Sequence, residues 1–299
     1  MQLALGTVQF GLDYGISNSH GKCLPAEAEK IVGQAIKAGV SVIDTAPTYG
    51  ESEEVLGKIL PTDHSFNIVT KTPSFAAASS PPMAADLVEE TLINSLTRLK
   101  SDKIYGILVH LADELFSDLG QAVFDRLGSL RDQGIVRKIG VSVYSAEHID
   151  RLVPKFPIQV VQAPVNIFDQ RLVINGQLNR LKELGIEFHA RSIFLQGLLL
   201  MKLKNDLPDH LIPLEPALAR FHKDHGVIGM TEVEAAVGFI SQLSEVDHAV
   251  GGVTSVAEFD QVAAAAQGNF DVSLEWPSYA ETSDFLLDPS QWPKPKLNS

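Results

Sequence analysis

The sequence predicts a single-domain α/β protein, a closed (β/α)8 TIM barrel, and three observations carry that expectation. Eight short apolar, β-branched runs recur along the 299 residues, with amphipathic helical stretches between them. Most of the runs are continuously apolar and do not alternate, as strands of a parallel sheet covered on both faces require. The first run is not followed by the Gly-x-Gly-x-x-Gly phosphate turn of an open doubly wound sheet. Eight βα units in about 250 residues match a closed barrel more closely.

In chain order the strands are LALG, VSVIDT, NIVTK, IYGILVH, RKIGVSV, IQVVQA, IEFHARS and HAVGG. Between them, helices are expected over Ala26 to Lys37, Asp86 to Leu99, Phe116 to Leu130 and Thr231 to Leu243. Leu87, Leu92, Leu96 and Leu99 fall near one face of the second of these, as packing on a sheet requires. Gly39, Gly134 and Gly185 each stand between a helical pattern and the next strand, the usual place of a helix-ending glycine. Met201 to Met230 is longer than a plain connection and carries three prolines. It is expected to combine a loop over the barrel mouth with one extra helix.

One domain is therefore expected over 1–299, with the barrel at about 1–268 and a tail over 269–299. Prolines exclude a long helix from that tail, and Trp276 and Trp292 argue that it packs on the barrel. No short internal repeat, low-complexity tract or interior linker interrupts the pattern.

A formal net charge of −13 argues against nucleic acid or an anionic membrane as the main partner, because both reward a basic face. No apolar run approaches the roughly 18 residues of a membrane span, and the N-terminus lacks a secretory signal. Cys23, the one cysteine, cannot staple the chain and gives no zinc spacing. A cytoplasmic protein acting on a small molecule, as a monomer or small homo-oligomer, is expected. His222 and His225 stand three apart on an expected helix with no evident third ligand, so no metal site is expected. Glu51, Glu53 and Glu54 open a helix, where they complement its dipole.

The chemistry gathers at strand ends. In a barrel the C-terminal ends of strands converge on one face, so Asp44, Lys71 and His110, from strands two, three and four, become neighbours. Tyr49 follows on the loop after Asp44. A phenol with its ordinary pKa near ~10 is a sluggish acid unless a nearby cation stabilises the phenolate. Lys71 can supply that cation, Asp44 can hold the ammonium, and His110 can donate to a carbonyl oxygen. Such a set suits proton delivery to an oxygen that gains charge in the transition state. Taken singly, each residue has a structural reading: a turn cap, a solvated strand end, a backbone partner, a packed ring. Their occurrence on successive strands is what points to one site.

These residues carry a resemblance. IDTAPTYGESEEVLG, VTK and LVH, in this order, resemble the aldo-keto reductases, a (β/α)8 family that uses nicotinamide cofactors. The similarity runs from LGTVQFG to GGVTS, through GIVRKIGVSVYS, VVQAPVNIFDQR and RSIFLQGLLL. It implies Tyr49 as general acid, Lys71 and Asp44 as its tuning pair, and His110 as the residue that orients the carbonyl. The implied reaction passes hydride from NADPH or NADH to an aldehyde or ketone. Among the matching segments, Gly6, Thr7, Asp44, Ser142, Gln162, Arg191, Ser192, Gln196 and Gly197 are implied cofactor contacts. In GGVTSVAEFDQV, Gly252, Thr254 and Ser255 would approach the adenosine end at a helix N-terminus.

Four departures from the family pattern matter. The family's Ser-Asn after strand five is Ser142-Val143 here, so one carboxamide hydrogen bond is lost or replaced by Gln162. The aromatic residue that commonly stacks on the nicotinamide is replaced by Arg191, whose guanidinium plane can stack as well. Its charge should disfavour oxidised cofactor relative to reduced, and an unchanged affinity ratio in Arg191→Tyr would refute this. An equal reading makes Arg191 the partner of a diphosphate or an acidic substrate group. Near the last strand Thr254 and Asp260 stand where NADPH-using members commonly carry cations, so NADH should be used at least comparably to NADPH. The N-terminal hairpin that plugs the barrel bottom in many members is missing, which makes the Trp276 and Trp292 tail a candidate cover for that end, although the family's tail often reaches the substrate mouth instead. Phe10, Tyr14, Phe75 and Phe168 follow strand ends and are expected to line an apolar substrate pocket.

Two other function classes stay open at this level. A cofactor-binding regulatory or scaffold protein can keep the same architecture, and a barrel isomerase or lyase needs no nicotinamide.

Overall fold

The computed structural model describes residues 1–201, 207–268 and 274–293. Its strands are β1 (Gln2–Gly6), β2 (Val42–Asp44), β3 (Asn67–Lys71), β4 (Ile104–Val109), β5 (Val136–Ser142), β6 (Val160–Pro164), β7 (Glu187–Arg191) and β8 (His248–Gly252). They pair in parallel, each with its sequence neighbour, and β1 closes on β8 to complete the barrel. The expected runs and the observed strands coincide one for one. Apolar stretches of this length can bury both faces only where helices cover the outside, which is the arrangement found.

Inside the barrel, Ala4, Val42, Val69, Leu108, Val160 and Val250 fill the tapering centre. Outside it, a larger apolar core joins the strands to the helices. The helix Pro81–Leu99 shows how the second layer is read: Val88, Leu92 and Leu99 are buried against the sheet. Each such side chain contributes roughly 1.5–3 kcal/mol relative to exposure. Leu87 was expected on that face but is exposed, because the buried stripe runs through Val88 instead. Gly39, Gly134 and Gly185 take the left-handed conformation expected where a helix ends and the chain turns into the next strand.

Glu53 departs from the helix-dipole expectation. It is buried, accepts from Thr70 Oγ1 at 2.7 Å and pairs with Arg98 at 2.7 Å, so it ties its helix to β3 and to the helix Pro81–Leu99.

A polar cluster occupies the floor of the barrel. Glu187 on β7 accepts from Tyr105 at 2.7 Å and pairs with Lys138, while His189 Nε2 lies 2.6 Å from its other oxygen. The His248 ring stacks edgewise on His189 at 4.8 Å. Of the two ends the C-terminal tail could cover, it takes the mouth and not this floor. Glu281 donates its backbone N–H to the Phe168 carbonyl, beyond the C-terminal end of β6, and Arg171 pairs with Asp284. The tail therefore lies on the mouth side, with Trp276 packed on Phe239 and hydrogen-bonded to Gln242.

The long connection after β7 carries a 3-10 turn (Asp209–Leu214) and the expected extra helix Glu215–Val227, while 202–206 of the expected loop over the mouth lie outside the described residues. Among the described helices, none is long and apolar enough to cross a membrane.

Candidate active site

Strand register places the first catalytic candidates side by side. Asp44 ends β2 and Lys71 ends the adjacent β3, with Asp44 paired to Val69 in register. Both side chains are almost fully buried. The Lys71 ammonium reaches both Asp44 oxygens and the Thr45 carbonyl, each at 2.9 Å. Burial alone would work against the ammonium, but Asp44 and then Tyr49 outweigh it and leave the lysine above its ordinary pKa. Lys71 is therefore a permanent cation with its charge balanced at one end.

Tyr49 sits on the loop between β2 and the helix Ser52–Ile59, with the Lys71 ammonium 4.7 Å from its ring centroid. Gly11 makes this loop position possible: a Cβ there would lie 1.8 Å from the Tyr49 carbonyl oxygen. The phenol borders the cavity, and burial pushes its pKa above the ordinary value while Lys71 opposes that shift. In the free protein burial wins, so the phenol keeps its proton. This refines the picture of a phenol already acidified: the ammonium offsets the cost of the phenolate when it forms.

His110 follows β4, and its ring meets Tyr49 edge-on at 6.2 Å. Burial first, then the Lys71 and Arg191 charges, push it down to about 3. The imidazole is neutral at physiological pH. Thr48 Oγ1 lies 3.5 Å from Nδ1.

These groups face a cavity of roughly 390 Å³ at the C-terminal ends of the strands, lined by Asp44, Tyr49 and His110, with Lys71 just behind. Gly6, Thr7, Ser142 and Gln162 line it from β1, β5 and β6, while Arg191, Ser192, Gln196 and Gly197 line it from β7 onward. Gly252 and Thr254 reach it from β8. Ser255 lies outside the lining, because its hydroxyl caps the helix Val256–Gln267 by accepting from Glu258 N–H.

Ser142 and Gln162 are register partners on β5 and β6. Gln162 donates to Asp44 Oδ1 at 2.7 Å, and its own Oε1 is buried without a partner. A buried amide oxygen left unsatisfied costs about 1–3 kcal/mol, so this atom is suited to a ligand N–H. A carboxamide bound beside Asp44 would supply one. Val143, where the family pattern has asparagine, is buried and offers its carbonyl to Arg191 at 3.2 Å.

Arg191 stacks its guanidinium on Tyr144, 4.1 Å from the ring centroid. Ser192, Leu195 and Gln196 just beyond it all have positive φ, a conformation that costs non-glycine residues roughly 1–2 kcal/mol each. Two contacts hold the turn: Asn166 donates to the Ser192 carbonyl at 3.1 Å, and Ile16 N–H donates to the Gln196 carbonyl at 3.0 Å. Strain of this kind gathers at sites that must hold a fixed shape.

Of the four aromatic residues expected to line an apolar pocket, Tyr14 alone borders the cavity. Phe10, Phe75 and Phe168 are corrected to core residues: each is fully buried, and Phe168 packs edgewise on Phe221. A second cavity of roughly 400 Å³ adjoins the first through His110, Ser142 and Tyr144, and Arg171, Asp284 and Asp288 border it.

The sequence reading missed Tyr144, Glu258 and Glu27. Glu258 accepts from Thr254 N–H at 2.7 Å and from Thr254 Oγ1 at 2.9 Å, and it borders the cavity. Glu27 accepts from Val256 N–H at 2.9 Å. The Ser255-x-x-Glu258 spacing was the available signal, since that pattern opens helices. Asp260, the expected anion, is exposed and borders neither cavity.

The sequence profile of the Aldo/keto reductase family matches residues 2–273. Among individual relatives, Aldo-keto reductase YhdN of Bacillus subtilis is 33% identical over 150 residues, covering 46% of this chain and 43% of that protein. The NADH-specific methylglyoxal reductase of Escherichia coli is 27% identical over 191 residues, covering 58% of each chain. The chain thus aligns with about half the length of these relatives. Among solved structures, the aldo-keto reductase AKR11C1 from Bacillus halodurans superposes with a TM-score of 0.74 at 18% identity, covering 94% of this chain and 93% of that one. The glycerol dehydrogenase AKR11B4 from Gluconobacter oxydans gives 0.69 at 20% identity, covering 92% and 89%. At these identities the structural likeness speaks for the fold.

Proposed function

The chain belongs to the aldo/keto reductase family, oxidoreductases that use nicotinamide cofactors and act on small carbonyl compounds, and from that premise we propose that it reduces an aldehyde or ketone to an alcohol with NADH. The observation that carries the reading is Lys71, held by Asp44 on one side and set 4.7 Å from the Tyr49 ring on the other.

When bound, the reduced nicotinamide supplies the hydride that reaches the carbonyl carbon. Tyr49 gives its phenolic proton to the carbonyl oxygen as negative charge builds there. Lys71 offsets the phenolate left behind, and Asp44 fixes the ammonium in place. His110, neutral, donates a hydrogen bond to the same oxygen; an Nδ1 that accepts from Thr48 leaves Nε2–H for this role. Gln162 Oε1 and Ser142 would hold the carboxamide, and Gly6, Thr7, Ser192, Gln196 and Gly197 would cradle the rest of the cofactor. Tyr14 and Tyr144 would border the substrate.

Glu258 and Glu27 favour NADH over NADPH. Together they take donors of Thr254 and Val256 at the start of the last barrel helix, so a 2′-phosphate there would meet two carboxylates where it needs cations. The relative from Escherichia coli that carries NADH specificity in its name is consistent with this choice.

Loss of reduced-nicotinamide absorbance with a panel of short aldehydes and ketones tests the proposal. Turnover with NADH at least comparable to that with NADPH is expected. Cofactor binding without turnover of any carbonyl would favour the regulatory reading, and failure to bind reduced cofactor would favour an isomerase or lyase.

A further inference from the structure

Away from the catalytic cavity, the connection between β7 and β8 brings three ligand-bearing side chains together. His222 and His225 lie about one turn apart on the helix Glu215–Val227, and Glu232 opens the next helix, Glu232–Ser241. The intervening turn folds back so that the Met230 carbonyl accepts from His225 Nδ1 at 2.8 Å. That bond fixes the tautomer of His225 and leaves its Nε2 lone pair directed at His222, whose Nδ1 is 3.3 Å away. Glu232 Oε1 lies 3.7 Å from the same Nδ1. One ligand atom from each of the three residues lies within 4.8 Å of the others.

Spacing decides what this trio suits. Zinc holds nitrogen and oxygen ligands at about 2.0–2.1 Å, which sets neighbouring ligands of a tetrahedron about 3.4 Å apart. The two spacings around His222 Nδ1 fall close to that value. A ring N–H donated to a backbone carbonyl, as in His225, is also the contact that orients metal-bound histidines. The barrel-floor trio Glu187, His189 and His248 differs: its 2.6 Å separation is a hydrogen bond, too short for two ligands of one ion, and Lys138 already pairs with the carboxylate.

We propose that His222, His225 and Glu232 bind one divalent transition-metal ion, with Zn2+ best matched to the donors, and that the ion clips the helix Glu215–Val227 to the start of Glu232–Ser241. His225 is nearly buried, whereas the Glu232 side chain is 34% exposed, so the ion enters from the Glu232 side and water completes the tetrahedron. The proposal departs from the expectation of no metal, since the third ligand comes from the next helix and not from the histidine run.

The test uses the full chain, freed of metal and of any purification tag, titrated with Zn2+ against a chromophoric chelator and with Co2+ by visible absorption. One equivalent, a tetrahedral Co2+ spectrum and a melting temperature raised by Zn2+ are expected. His222→Ala and Glu232→Gln should each weaken binding at least about tenfold while carbonyl turnover stays at the wild-type level. Equal affinity in wild type and both variants overturns the proposal, as does a wild type that binds no Zn2+. Loss of binding in His248→Asn with retention in His222→Ala would place the ion on the barrel floor and overturn it equally.

Discussion

Gln162 donates its side-chain amide to Asp44 across 2.7 Å, which ties the free acceptor Oε1 to the same carboxylate that grips Lys71. In the proposed reaction, cofactor placement and proton-donor placement would share one anchor. Replacing Gln162 by Leu should weaken NADH binding about tenfold, the loss of one buried hydrogen bond worth roughly 1–1.5 kcal/mol. Turnover at saturation should fall as well, because Asp44 loses a partner. Fluorescence titration with NADH checks the first effect, and unchanged affinity would remove Gln162 from the cofactor site.

In the proposed cofactor site, Glu258 would set the charge at the adenosine end. Glu258→Ala should raise the ratio of kcat/KM for NADPH over NADH by about tenfold or more, since an anion is removed and Thr254 N–H is freed to bind phosphate. A modest loss of stability, about 1 kcal/mol, should accompany the lost helix cap. Steady-state kinetics with both cofactors decide the point, and an unmoved ratio would assign the discrimination elsewhere.

Acid should destabilise the fold before it reaches the carboxylate range. Burial and the neighbouring His189 charge hold His248 at about 4, and burial holds His110 at about 3. Unfolded histidines take up protons near ~6.5, so between that pH and about 4 the unfolded chain binds more protons than the folded one. Stability is therefore fully present above pH ~6.5 and falls as the pH drops through this window. Glu187, held below the usual carboxylate range mainly by its partners against burial, acts in the same sense once the pH falls below the ordinary glutamate value. Urea unfolding across this range should show the decline, and His248→Asn should flatten it. A parallel decline in the variant would exclude His248 as a source.

Much of this was legible in the sequence, for a physical reason. Strands buried on both faces must be continuously apolar, so the residue at which the run breaks, Asp44, Lys71 or the His110 that follows, marks the rim where function gathers. Long-range side-chain direction was not legible. Phe10, Phe75 and Phe168 follow strand ends as faithfully as Tyr14 does, yet only Tyr14 turns to the cavity, and no local pattern distinguishes them. Glu27 was missed because its partner comes from another helix, 229 residues away. The tail's course stayed open because two tryptophans announce packing without saying against which end.

The most direct test of the account is the rate of carbonyl reduction by Tyr49→Phe with NADH. The variant keeps the ring beside Lys71 and removes only the transferable proton. Turnover should fall by a factor on the order of 10²–10⁴, with cofactor affinity unchanged. A variant as fast as the wild-type protein would contradict Tyr49 as the proton donor, and with it the role given to Lys71.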